Sequence, residues 1–110
     1  MIDPWTVHSP RDRWTLIDIL TQQGGEQNNE WALALGRWTD ESGTTRACLA
    51  MRWNGTHTLE SKGNPISRGY PTWFILPSES NVIDSMMSLI PAEKHRWVES
   101  HLSQRDNHQF

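Results

Sequence analysis

At 110 residues, 35% of them hydrophobic and only one a cysteine, the chain has room for one hydrophobic core and not for two. No intrachain disulfide or thiolate zinc site can form, and a net charge of −3 argues against coating nucleic acid by bulk electrostatics. The first ten residues lack a basic n-region and an apolar h-region, and no apolar run approaches the roughly 20 residues that span a bilayer. The expected setting is cytoplasmic, without membrane contact.

Residues 1–12, with two prolines and little apolar content beyond Trp5 and Val7, read as an irregular lead-in anchored by the indole of Trp5. Residues 13–21 fit two elements. A helix would take Ser9 as N-cap, Pro10 at its first position and Gly24-Gly25 as its stop. A strand would put Trp14, Leu16 and Leu20 on one face and Ile17 and Ile19 on the other. The strand is preferred, because two clear strands follow and need neighbours.

In residues 30–38, Trp31, Leu33 and Leu35 alternate with Ala32, Ala34 and Gly36; in residues 46–53, Leu49, Met51 and Trp53 alternate with Cys48 and Ala50 between Arg46 and Arg52. Period-2 alternation marks antiparallel strands, and the polar, glycine-containing link over 39–44 suits a hairpin. The bulky face is expected to be core, and the small-residue face to take a close-packed helix or leave a shallow hollow. Residues 72–76, bounded by Pro71 and Pro77, read as a further strand. Residues 77–81 then supply capping chemistry for a helix carrying Val82, Ile83, Met86, Met87, Leu89 and Ile90. Pro91 ends it and starts a second helix over 92–102, with Trp97, Val98, His101 and Leu102 on one stripe. Residues 103–110 read as a frayed tail. The expected fold is a single α+β domain over 1–110, an antiparallel three- to four-stranded meander packed against C-terminal helices.

Candidate chemistry concentrates in residues 52–74, where turn formers, arginines, hydrogen-bonding side chains and aromatics are interleaved. The basic residues there and nearby, Arg37, Arg46, Arg52, Lys62 and Arg68, slightly outnumber the acids of residues 30–77, whereas both flanks are acidic. Guanidinium forks suit carboxylate or phosphate and stack on indoles. The ligand-binding candidates are Arg52, Asn54, Asn64, Ser67, Arg68 and Tyr70, with Trp38 and Trp73 as walls. Each has a bland alternative: the arginines can pair structurally, Asn54-Gly55 and Gly63-Asn64-Pro65 are turn formers, and most of the seven tryptophans are accounted for by core bulk.

His8, His57, His95, His101 and His108 make no metal-ligand spacing. His57 with Glu60 and Ser67 has no spacing that marks a hydrolytic group, and Cys48 sits mid-strand where a buried thiol is inert. Walker, Rossmann and serine-elbow motifs are absent, so no cofactor is implied.

At Gly36-Arg37-Trp38, Arg52-Trp53-Asn54-Gly55, Gly63-Asn64-Pro65 and Pro71-Thr72-Trp73-Phe74-Ile75-Leu76-Pro77, the chain resembles small uncharacterised bacterial proteins of mobile gene pools such as integron cassettes. The likeness covers roughly residues 14–90. It implies an accessory bacterial protein of α+β build and transfers no catalytic residue. The expected function is non-enzymatic binding of an anionic small molecule or of an acidic or phosphate-bearing partner surface. The alternative is a protein–protein adaptor or homodimer, with a Trp- and Met-rich interface that includes Met86 and Met87.

Overall fold

Alternation of large and small side chains along two neighbouring strands fixes which face of a sheet each side chain occupies, and the fold follows from how those faces are covered. A computed structural model describes residues 1–24, 30–58 and 60–104. Three long strands, β1 (Trp14–Gly24), β2 (Glu30–Thr39) and β3 (Thr45–Gly55), pair antiparallel in sequence order. A two-residue hairpin of β4 (Ile66–Ser67) and β5 (Tyr70–Pro71) stands apart, and β6 (Phe74–Ile75) returns to the free side of β3 as the fourth strand. Helices α1 (Ser80–Met87) and α2 (His95–Gln104) follow, joined through a 3-10 turn at Ala92–Lys94. The expected antiparallel sheet with C-terminal helices is therefore present. The 103–110 tail is helical as far as Gln104 and beyond that lies outside the described residues.

The strand reading of residues 13–21 holds, but its facing does not. Two register shifts, between Leu16 and Asp18 and between Ile19 and Thr21, each invert the alternation, as a β-bulge does. Trp14, Leu16 and Ile19 share one face, and Ile17 and Leu20 the other.

The bulky face is core as expected: Leu33, Leu35 and Leu49 are fully buried beneath Ile90, Val98 and Leu102. On the other face, Ala32, Ala34, Cys48 and Ala50 meet the indoles of Trp14 and Trp73 and the side chain of Val7. Small residues there leave the depth that two indoles fill, so neither a helix nor an empty hollow results. The rings lie 5.9 Å apart with a 36° tilt. A Cβ at Gly36 would run into the Trp14 ring, so glycine is what admits that ring to the sheet.

The lead-in is docked rather than loose. Asp3 accepts from the Trp5 N–H to cap a 3-10 turn over Pro4–Thr6, the Ile2 N–H donates to the Asn54 carbonyl at 2.8 Å, and the Trp73 indole N–H donates to the Val7 carbonyl at 2.8 Å. Its anchors are Val7 and Pro4, both buried; Trp5, the expected one, is half exposed. The expected strand over 72–76 is shorter than its apolar run. Phe74 and Ile75 pair with β3 and the Leu76 N–H still donates to the Leu49 carbonyl at 2.9 Å, whereas Thr72 bridges to Ser9 and Trp73 turns inward.

Candidate functional site

The register that sets the core also sets a groove at one end of the same face. Trp31 lies opposite Trp53, Leu33 opposite Met51 and Leu35 opposite Leu49, while β6 sets Phe74 opposite Met51. Helices α1 and α2, of eight and ten residues, are about 12 and 15 Å long, against about 33 Å for the ten-residue β2. They cover the Leu33–Leu35–Leu49 end and leave the other open. There Trp31, Met51, Trp53 and Phe74, with part of Arg52 and with Asn64 and Pro65 as a lip, line a groove of ≈ 540 Å³. Trp53 is 48% and Phe74 58% exposed. Covering the open part of either ring would stabilise a complex by roughly 2 kcal/mol.

Beneath this apolar surface lies a polar clamp. Arg52, only 3% exposed, points to the opposite side of β3 from Trp53. Its Nε donates to Asn54 Oδ1 at 3.0 Å, and its terminal nitrogens donate to the carbonyls of Thr72 and Lys62 at 2.5 Å. The fully buried Asn54 donates in turn to Glu30 Oε1 at 2.9 Å, an oxygen that also accepts from Gln22. Desolvation lowers the Arg52 guanidinium from its ordinary value to about 10, so it stays a cation at neutral pH, held by neutral oxygens with the Glu30 carboxylate one side chain away. Asn64 exchanges both backbone hydrogen bonds with Trp53, at 2.8 and 2.9 Å, which fixes the lip against the strand.

The eight sequence-predicted residues do not converge. Only Arg52 and Asn64 line the groove together: Arg52 and Asn54 are buried in the clamp, Arg52 reaching the groove's wall, and Asn64 forms its lip. Ser67, Arg68 and Tyr70 are exposed on the β4–β5 hairpin, whose turn has Arg68 at φ 53 and Gly69 at φ 83, the positive pair a type I′ turn demands. Trp38 packs at the far end of the sheet, opposite Arg46, and Trp73 is buried. Arg68 is not among the residues lining the groove, so Arg52 and Arg68 share no cleft there. Met86 and Met87 pack against the core beside Leu33 and Leu49.

Trp31, Met51, Trp53 and Phe74 were missed as site residues because parity alone assigns Trp31, Met51 and Trp53 to a buried face. The ratio of helix length to strand length was the signal that could have found them. Among the described residues no three His, Cys, Asp or Glu side chains gather to hold a metal ion, and no helix is long and apolar enough to cross a membrane. Comparison with known proteins gives no matching family model, no matching curated protein and no matching solved structure, so what the groove does is argued from its own geometry.

Proposed function

We propose that the chain is a non-enzymatic binding protein that docks an apolar segment of a protein partner in the groove between Trp31, Met51, Trp53 and Phe74. The observation that carries this reading is the half-exposure of two large aromatics on the walls of one concave surface. The hydrogen-bonding side chains behind it, Arg52 and Asn54, are engaged within the protein. Such a surface selects its occupant by shape and hydrophobicity. Trp, Phe and Met are enriched at the centres of protein interfaces, and hot spots sit in pockets of this kind. Ile66, next to Pro65, is 45% exposed, so apolar surface continues past the lip, which favours a polypeptide over a small molecule. Oxyanion recognition by Arg52 is disfavoured here, since its guanidinium already serves three protein oxygens. An accessory role in a bacterium, as the resemblance implies, belongs to the same proposal.

Selection from a displayed random-peptide library on the immobilised protein tests it. Enriched peptides should carry apolar or aromatic anchors and bind at least about tenfold more weakly to Trp53→Ala and Phe74→Ala. Peptides that bind those variants as well as the wild type would overturn the reading. So would a dimer in sedimentation that Trp53→Ala splits, because the groove's occupant would then be a second copy of this chain.

A further inference from the structure

A second concavity lies on the other side of the sheet, where the lead-in meets the β4–β5 hairpin. It holds ≈ 490 Å³ and is lined by Ile2, Val7 and Pro71 at its apolar part and by Thr6, His8, Ser9, Arg11 and Tyr70 at its polar part. Both walls are fixed. The lead-in is tied down through the Val7 carbonyl to Trp73 and through Ser9 to Thr72. The hairpin is held by the Lys62 ammonium on the Gly69 carbonyl at 2.9 Å and by the Thr72 N–H on the Pro65 carbonyl at 3.0 Å.

Of the polar side chains of this pocket, Thr6 is engaged, its hydroxyl donating to the Asp3 carbonyl at 2.6 Å, and the others are free. The His8 ring, the Ser9 hydroxyl, the Arg11 guanidinium and the Tyr70 hydroxyl make no hydrogen bond or ion pair among the described residues. No carboxylate is among the lining residues. Of the two acids of the lead-in, Asp3 is turned to the Trp5 N–H as a cap, and Asp12, next to Arg11 in sequence, is not among the lining residues. A guanidinium, an imidazole and two hydroxyls thus line one concavity beside a small apolar wall, with Arg11 and Tyr70 at its exposed rim, and offer donors that nothing in the protein takes up. Oxyanions complement such sets, through charge-assisted hydrogen bonds to the guanidinium and neutral ones from the hydroxyls.

We propose that the pocket between the lead-in and the β4–β5 hairpin binds a small molecule with an oxyanion headgroup on an apolar body, held by Arg11, His8, Ser9 and Tyr70. The headgroup sits against Arg11 and the hydroxyls, and the body lies on Ile2, Val7 and Pro71. Only Tyr70 is common to this set and the residues the sequence singled out for anion binding. The site is independent of the aromatic groove, whose Trp31 and Met51 pack with the opposite core cluster.

Titration of the ¹⁵N-labelled protein with phenyl phosphate, benzoate and inorganic phosphate, followed by amide shifts, tests the site. The expected result is saturable shifts confined to residues 2–11 and 70–72, with dissociation constants of phenyl phosphate or benzoate below about 1 mM and at least threefold tighter than inorganic phosphate. Whichever of the two binds more tightly assigns the headgroup. Arg11→Ala should weaken binding about tenfold and Tyr70→Phe about threefold. Arg96→Ala, which removes the same charge from an exposed position of α2, and Trp53→Ala should leave it unchanged. Three results would overturn the proposal: no saturable shift for any probe, shifts located in the aromatic groove, or equal weakening by Arg11→Ala and Arg96→Ala, which would mark bulk electrostatics. Because the readout is residue by residue, failure here leaves the groove reading intact.

Discussion

The guanidinium of Arg52 reaches oxygens on three separate stretches of chain: Asn54 in its own strand, Lys62 in the excursion after β3, and Thr72 just before β6. A planar fork can serve three directions at once, and an ammonium on a flexible stem cannot. Arg52→Lys should therefore leave buried carbonyls unpaired and lower the unfolding free energy by about 2–4 kcal/mol, read as a fall in the urea midpoint at unchanged m. Arg68→Ala, at an exposed position without such partners, should stay within about 0.5 kcal/mol. Equal and small losses would show that the clamp does not hold the excursion to the sheet. Arginine next to Asn-Gly pointed to a displayed loop in the sequence, and Trp53 to a buried pin. The structure reverses them: the polar pair is inside and the indole is half outside. One-dimensional alternation tells the two faces of a strand apart, but not how far each face is covered.

At the scale of the strands, the alternations of β2 and β3 were legible because each side chain has only two faces to choose from, and the polar link between them behaves as a hairpin should. Asp40 Oδ1 accepts from the Ser42 N–H, the Ser42 hydroxyl and the Thr44 N–H. The Ser42 hydroxyl is the largest influence lowering the Asp40 carboxyl below its ordinary value. β1 was not fully legible, since its two register shifts depend on partner strands. Nor was the filling of the small-residue face, where Trp14 and Trp73 come from distant parts of the chain. The fit of Trp14 over Gly36 makes a double-mutant test. A methyl at position 36 would meet the distal six-membered ring of the indole, so Gly36→Ala should destabilise by about 1–3 kcal/mol. In Trp14→Phe the outer ring atoms are gone, and the indole N–H lost with them has no acceptor among the described residues. The same Gly36→Ala change should then cost at least about 1 kcal/mol less. Additive losses, measured by denaturant unfolding of the four proteins, would mean that glycine is needed there for some reason other than the ring.

In the whole molecule, one sheet separates two core clusters, with helices over one and the lead-in and two indoles over the other. Access to the second cluster therefore requires opening a large part of the fold, and Cys48, 6% exposed within it, is its chemical reporter. Burial pushes the thiol up from 9.0 to about 11, with Arg46 opposing weakly. The folded state thus favours the neutral thiol. Below pH 9 both states hold the proton and the group contributes no pH dependence. As pH rises from 9 to about 11, the unfolded thiol ionises while the folded one does not, so stability falls. The slope approaches about 1.4 kcal/mol per pH unit for a single proton, or about 2 to 3 kcal/mol across the window. The quantity to measure is the difference between wild type and Cys48→Ala, which isolates the contribution of this thiol. Wild-type stability should drop below the variant's trend only above pH 9. At pH 8, alkylation of Cys48 by iodoacetamide should be slower than in urea-unfolded protein by a factor set by the unfolding equilibrium, and should accelerate with denaturant along the same m as global unfolding. Labelling of the native protein at the unfolded rate, or parallel pH curves for the two proteins, would show that the small-residue face opens locally and that the two clusters do not unfold as one.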